Sequence, residues 1–314
     1  MKTILIKKTF LVFLLVIWTI SVSVNAQQLT AQTFTITKKP GTITAYAHQL
    51  DSKLMARKVP YYVLLPENYD NDKLARFPVI YLLHGLSGNY KDWVEKTKLL
   101  EFAARHKMII ITVEGGNGWY TDSVTKPDDR YESYIIQELI PEVDKNFRTI
   151  ATRRGRAVGG LSMGGYGALK FGLKYPDKFV FAASMSGAVS IASLRTSEKI
   201  PPMFRQMILS TFGDENNSVK KANDLFVIFG ELTPEMVARL PFFYLDCGTE
   251  DELGLLQFNQ QLAGIMLNKK IPHEFRELPG KHNWDLWGQQ VQDVLRISER
   301  IFNAQATVNL AAAN

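Results

Sequence analysis

Short runs that are apolar without alternation constrain this chain most. Val79–Leu83, Met108–Val113, Arg156–Gly160, Phe181–Met185 and Phe242–Leu245 each read as a strand with both faces covered. A strand whose two faces are both buried belongs in a parallel sheet flanked by helices, because each parallel crossover lays a helix on one face. Between two of these runs, Ile135, Ile136, Leu139, Ile140 and Val143 recur at helical spacing. The alternation predicts a doubly wound α/β sheet. The region ahead of it, roughly 33–65, alternates apolar and polar residues around turns at Pro40-Gly41 and Asp51-Ser52. It predicts an antiparallel hairpin, with Tyr61–Leu65 as a strand stopped by Pro66.

The N-terminus reads as a separate object. Lys2, Lys7 and Lys8 precede an apolar run from Phe10 to Ile20, and Val24-Asn25-Ala26 supplies small residues. This is the pattern of a secretory signal peptide over residues 1–26, cleaved after Ala26, and it predicts a secreted or periplasmic protein. Its removal takes three lysines, so the formal charge of +6 falls to about +3. No basic cluster with interleaved aromatics occurs, which gives nucleic-acid binding no support. The single cysteine, Cys247, has no partner in the chain for a disulfide. Residues 27–314 show no repeat or linker and read as one domain. A polar stretch from about Ser190 to Glu235 breaks the strand–helix alternation and predicts a lid-like insertion.

Gly160-Leu161-Ser162-Met163-Gly164 fits G-x-S-x-G, a turn that presents a serine between a strand and a helix. The flanking positions must be nearly free of side chain, or strand and helix collide. A serine hydroxyl needs a base to take its proton, and in this arrangement an acid and a histidine follow in that order. His282, in Gly280-Lys281-His282-Asn283-Trp284, is the candidate base. Asp246, Glu250 and Asp251 compete as the acid. Asp251 is favoured because it lies on the loop beyond the strand, free to reach an imidazole. A developing oxyanion needs aimed N–H groups. Met163, directly after the serine, is one candidate. Leu86 in His84-Gly85-Leu86-Ser87-Gly88, directly after an apolar run, is the other. His84 is read as orienting that loop.

Together Gly159–Leu169 (GGLSMGGYGAL), HGLSG, CGTED and GKHNWDLW make the chain resemble the esterase D and feruloyl/acetylxylan esterase group over residues 45–303. That group overlaps carbohydrate esterase family one and is related to the mycolyltransferases. The resemblance implies an α/β-hydrolase fold with Ser162, Asp251 and His282 as a triad and no cofactor. It places Trp119 and Tyr120 near the acyl pocket, and Trp284 and Trp287 beside the histidine. The expected reaction is carboxylic ester hydrolysis through an acyl-enzyme. The expected substrate, from the resemblance and the export pattern, is a small ester or the feruloyl and acetyl groups of plant polysaccharide. The alternatives are a short-chain esterase of the S-formylglutathione hydrolase or tributyrin esterase type, an acyltransferase, and a catalytically dead binding protein.

Overall fold

A computed structural model describes residues 41–197 and 200–312. The expected signal peptide lies outside the described residues. Eight strands form one sheet: β1 (Ala45–Ser52), β2 (Arg57–Leu64), β3 (Val79–Leu83), β4 (Ile109–Val113), β5 (Arg156–Leu161), β6 (Phe181–Met185), β7 (Phe242–Gly248) and β8 (His273–Leu278). Their spatial order is β1-β2-β4-β3-β5-β6-β7-β8. β1 and β2 pair antiparallel, as do β2 and β4, while the six strands from β4 to β8 run parallel. The sheet is thus doubly wound with an antiparallel N-terminal hairpin.

The strand pattern explains the two-sided core. Val79, Tyr81 and Leu83 of β3 join one apolar layer, and Ile80 and Leu82 join the other. This is the period of two that sends neighbouring side chains to opposite faces. Helix Met163–Lys174 packs on the first layer through Tyr166, Leu169 and Phe171. The 29-residue helix Trp284–Ala312 covers the second through Val291, Val294 and Leu295.

Two local expectations are revised. The hairpin turn falls at residues 53–56 rather than at Asp51-Ser52, which end β1 in register with Lys58 and Arg57. Ala56 takes a positive φ of 49° there. The helix predicted around Ile135–Val143 is a π-helical segment, Tyr134–Leu139, running into α-helix Ile140–Asn146. Pro141 has no N–H to give the carbonyl four residues back, and Ile140 N–H instead donates five residues back, to Ile135. That is the wider repeat of a π-bulge.

Between β6 and β7 lie helices Pro202–Phe212, Ser218–Ala222, Leu225–Glu231 and Pro234–Val237. Through Ile191, Leu194 and Phe204 the segment between these strands lines the same hollow as Ser162. Much of it is also core: Ile208, Phe212, Leu225 and Phe229 are fully buried in the first layer.

Candidate active site

Ser162 stands between β5 and the helix Met163–Lys174, with φ 51° and ψ −113°. A non-glycine residue rarely holds that conformation, and surrounding structure must over-determine it. Here the Ser162 N–H donates to the Met185 carbonyl at 2.9 Å, and the Ser162 carbonyl accepts from Ala188 and Tyr166 N–H groups at 3.0 and 3.1 Å. The glycines are a steric requirement. A Cβ on Gly164 would lie 2.4 Å from the Leu83 carbonyl oxygen, and one on Gly160 would lie 2.4 Å from Gly164 backbone. The helix can start this close to β3 only without those side chains.

His282 Nε2 lies 3.0 Å from Ser162 Oγ, and His282 Nδ1 lies 2.8 Å from Asp251 Oδ2. Three side chains from the loops beyond β5, β7 and β8 therefore form one hydrogen-bonded line. Asp251 is fully buried at its side chain. Burial works to raise its pKa, but the His282 hydrogen bond and charge, with the Leu253 and Leu255 N–H groups, hold it below the ordinary value. A carboxylate so placed keeps an Nδ1–H tautomer facing it and leaves Nε2 free to accept the serine proton. The Trp287 ring meets the imidazole edge-on at 4.9 Å, which limits its rotation.

The competing acids are placed elsewhere. Asp246 is fully buried on β7, where Oδ2 accepts from the Tyr244 hydroxyl at 2.9 Å. Glu250 is exposed, and its N–H donates to the Gly280 carbonyl. Glu252, which no sequence pattern marked, accepts the His282 N–H at 3.3 Å.

A cleft of about 770 Å³ opens over Ser162, walled by Leu86, Trp119, Ile191, Leu194, Phe204 and Trp284 among others. Met163 is the first residue of its helix, so its N–H has no intrahelical acceptor and points with the helix's positive end. Leu86 lies on the neighbouring loop. His84 is buried at the base of that loop. Its Nδ1 donates to the Gly85 carbonyl at 2.7 Å and its Nε2 accepts from Gly115 N–H at 2.9 Å. Both ring nitrogens are thereby used, and the imidazole ties the loops after β3 and β4 together.

Trp119 and Tyr120 were expected together at the acyl pocket, and the structure separates them. Trp119 is a cleft wall. Tyr120 is fully buried behind it, its hydroxyl donating to the His84 carbonyl at 2.9 Å. Both have φ 52°, and two consecutive positive values turn the two rings apart. Trp284 lines the cleft, packed edge-on to Trp93 and Trp287.

Sequence reasoning passed over Lys170. Its Nζ donates to the Tyr120 carbonyl, Thr121 Oγ1 and Glu132 Oε2 at 2.7, 2.6 and 2.7 Å. A lysine in the middle of an otherwise small and apolar helix was the available sign. It clamps the helix that follows Ser162 to the loop that carries Trp119.

A parallel sheet with a Ser–His–Asp line at its carboxyl edge defines an α/β hydrolase. The Esterase family model matches residues 52–296, and the chain belongs to that family: it is an esterase. It is 28% identical over 262 residues to an acetyl esterase of Caldicellulosiruptor saccharolyticus, an alignment covering 80% of this chain and 96% of that one. It is 30% identical over 245 residues to the esterase Rv1288 of Mycobacterium tuberculosis, covering 70% of this chain and 51% of that longer protein. A solved ferulic acid esterase superposes with a TM-score of 0.71 at 29% identity, over 82% of this chain and 98% of that one. S-formylglutathione hydrolase from Staphylococcus aureus shares the fold, with a TM-score of 0.68 at 23% identity over 81% of this chain and 98% of that chain.

Proposed function

We propose that the esterase works through a serine acyl-enzyme, is exported, and releases feruloyl or acetyl groups from plant polysaccharide. The observation that carries the mechanism is the continuous line from Asp251 through His282 to Ser162 Oγ. His282 takes the hydroxyl proton as Oγ attacks the ester carbonyl. The Leu86 and Met163 N–H groups stabilise the oxyanion, each by about 3 kcal/mol. His282 then gives its proton to the departing alcohol, and water repeats the sequence on the acyl-enzyme. Leu86, Trp119 and Trp284 are assigned by their place around the cleft, and Met163 by its place as the first residue of the helix after Ser162.

The substrate reading rests on likeness to the acetyl esterase and the ferulic acid esterase. Export rests on the residue pattern of positions 1–26. The decisive assay sets methyl ferulate, acetylated xylan and 4-nitrophenyl acetate side by side, with a fluorophosphonate probe to label the nucleophile. Turnover of the first two with labelling at Ser162 is expected. Activity confined to 4-nitrophenyl acetate would remove the polysaccharide reading, and labelling elsewhere would remove the mechanism.

A further inference from the structure

A second cleft of about 680 Å³ opens beside the first, and Leu86, Ser87 and Phe204 are walls of both. Its floor is a hydrogen-bonded seam between the loop after β4 and the end of helix Pro202–Phe212. Ser123 Oγ donates to the Ser210 carbonyl at 2.6 Å, Thr125 N–H donates to the same oxygen at 3.2 Å, and the Thr125 and Ser210 hydroxyls meet at 2.7 Å. Met207 lies along one wall, and Lys126 and Gln206 stand at the polar rim.

The strand order decides which half of an ester reaches this cleft. His282 follows β8 on one side of Ser162. The second cleft lies between the loops after β3 and β4, which are on the other side of β5, and helix Pro202–Phe212, which reaches to those loops from the β6–β7 connection. The departing alcohol oxygen must come within hydrogen-bond reach of His282 Nε2 to be protonated. The alcohol therefore leaves toward β8, and the acyl group extends toward β4. An acetyl group fills little of the first cleft. A longer acyl stem, passing over the wall that Trp119 and Phe204 form by meeting edge to face at 6.5 Å, runs on into the second, which Phe204 also lines.

We infer that the second cleft is a distal acyl subsite: it takes the polar, hydroxyl-bearing end of an extended acyl group whose apolar stem lies along Trp119 and Phe204. The inference rests on the ester-hydrolase reading of Ser162 and His282, and it names an acyl class longer than acetyl.

The test holds the alcohol constant and varies the acyl group: 4-nitrophenyl acetate, decanoate and ω-hydroxydecanoate. The unaltered enzyme should show a higher kcat/KM for ω-hydroxydecanoate than for acetate. Met207→Trp, which fills the second cleft, should lower kcat/KM for both long esters about tenfold, the effect of losing roughly two buried methylenes, and leave acetate within about twofold. Gln206→Trp, at an exposed rim position, serves the same purpose without touching the core. Lys126→Ala with Gln206→Ala should lower the ω-hydroxy ester relative to decanoate. Equal losses on all three esters, or long esters no better than acetate in the unaltered enzyme, would overturn the subsite. Failure of the enzyme to cleave any ester, or to label at Ser162, would instead sink the reading beneath it.

Discussion

Lys170 Nζ, on the helix that follows Ser162, and Glu132 Oε2 meet at 2.7 Å in the core, with Lys170 fully buried. Glu132 also pairs through Oε1 with Lys174 at 2.6 Å and accepts from the Tyr175 hydroxyl at 2.7 Å. Burial pulls the Lys170 ammonium down to about 8 while Glu132 draws it up, so the pair stays ionised at neutral pH. A buried pair of this kind is costly to break from one side, because the buried carboxylate then keeps only the partly exposed Lys174 as its counter-charge. Lys170→Met should destabilise the fold by about 3–5 kcal/mol, and the double variant Lys170→Met/Glu132→Gln should recover part of that loss. Urea unfolding of the parent and both variants checks it. A double variant at least as unstable as the single would contradict the pairing.

The same carboxylate gives an acid limit. Burial works to raise the Glu132 pKa, and the Lys170 and Lys174 charges outweigh it, holding the group at about 2 against an ordinary 4.5. Its folded value lies below its unfolded value, so its stabilisation is complete above pH 4.5 and is lost as pH falls toward 2. The urea midpoint should drop across this window, and Glu132→Gln should flatten the drop. Parallel pH profiles for the two proteins would count against this assignment.

Asp246 predicts the opposite sign. Full burial pushes its carboxyl up to about 8 from 3.8. Its stabilisation is therefore greatest below 3.8 and is lost as pH rises through about 8. Asp246→Asn keeps the acceptor for Tyr244 and removes the titration. At pH 9 the variant should be more stable than the parent by roughly 2 kcal/mol or more, with the gap closing at low pH. Thermal unfolding at acid and alkaline pH measures it, and a gap that does not change with pH would refute it.

Asp251→Asn should leave the protein folded and lower kcat by about 10²–10⁴-fold, because the amide no longer selects the Nδ1–H tautomer of His282. KM for 4-nitrophenyl acetate should change far less. Steady-state kinetics and circular dichroism together test this. A variant retaining more than about a tenth of the parent's kcat would point to another acid.

Cys247 should resist alkylation. Its thiol is buried, and burial and the Asp251 charge push it up to about 12, so almost no thiolate exists at neutral pH. Iodoacetamide should leave the native chain unmodified by mass spectrometry and label it in urea. Rapid native labelling would show that the end of β7 opens.

The parallel sheet was legible because Val79–Leu83 is apolar at every position and Phe181–Met185 at all but Ser184, and a sheet covered on both faces uses such runs. The serine turn was legible because sterics restrict its flanking residues to glycine. The line to His282 and Asp251 followed from chain order and loop position. What escaped depends on tertiary partners. Tyr120 adjoins Trp119 in sequence, yet paired positive φ values send it into the core. The π-helical segment comes from a missing N–H at Pro141, which periodicity does not register. Lys170 looked like an ordinary helix residue because Glu132, its counter-charge, is 38 positions away.

His282 stands 120 residues beyond Ser162 and immediately ahead of the helix that completes the second core layer. During synthesis the Ser162 hydroxyl emerges long before the imidazole that hydrogen-bonds to it. A polypeptide stopping short of residue 282 carries Ser162 but lacks both the imidazole that faces it and the Val291, Val294 and Leu295 side chains of the second layer. The stretch that brings the imidazole to Ser162 and the stretch that closes the second core layer are thus one and the same end of the chain.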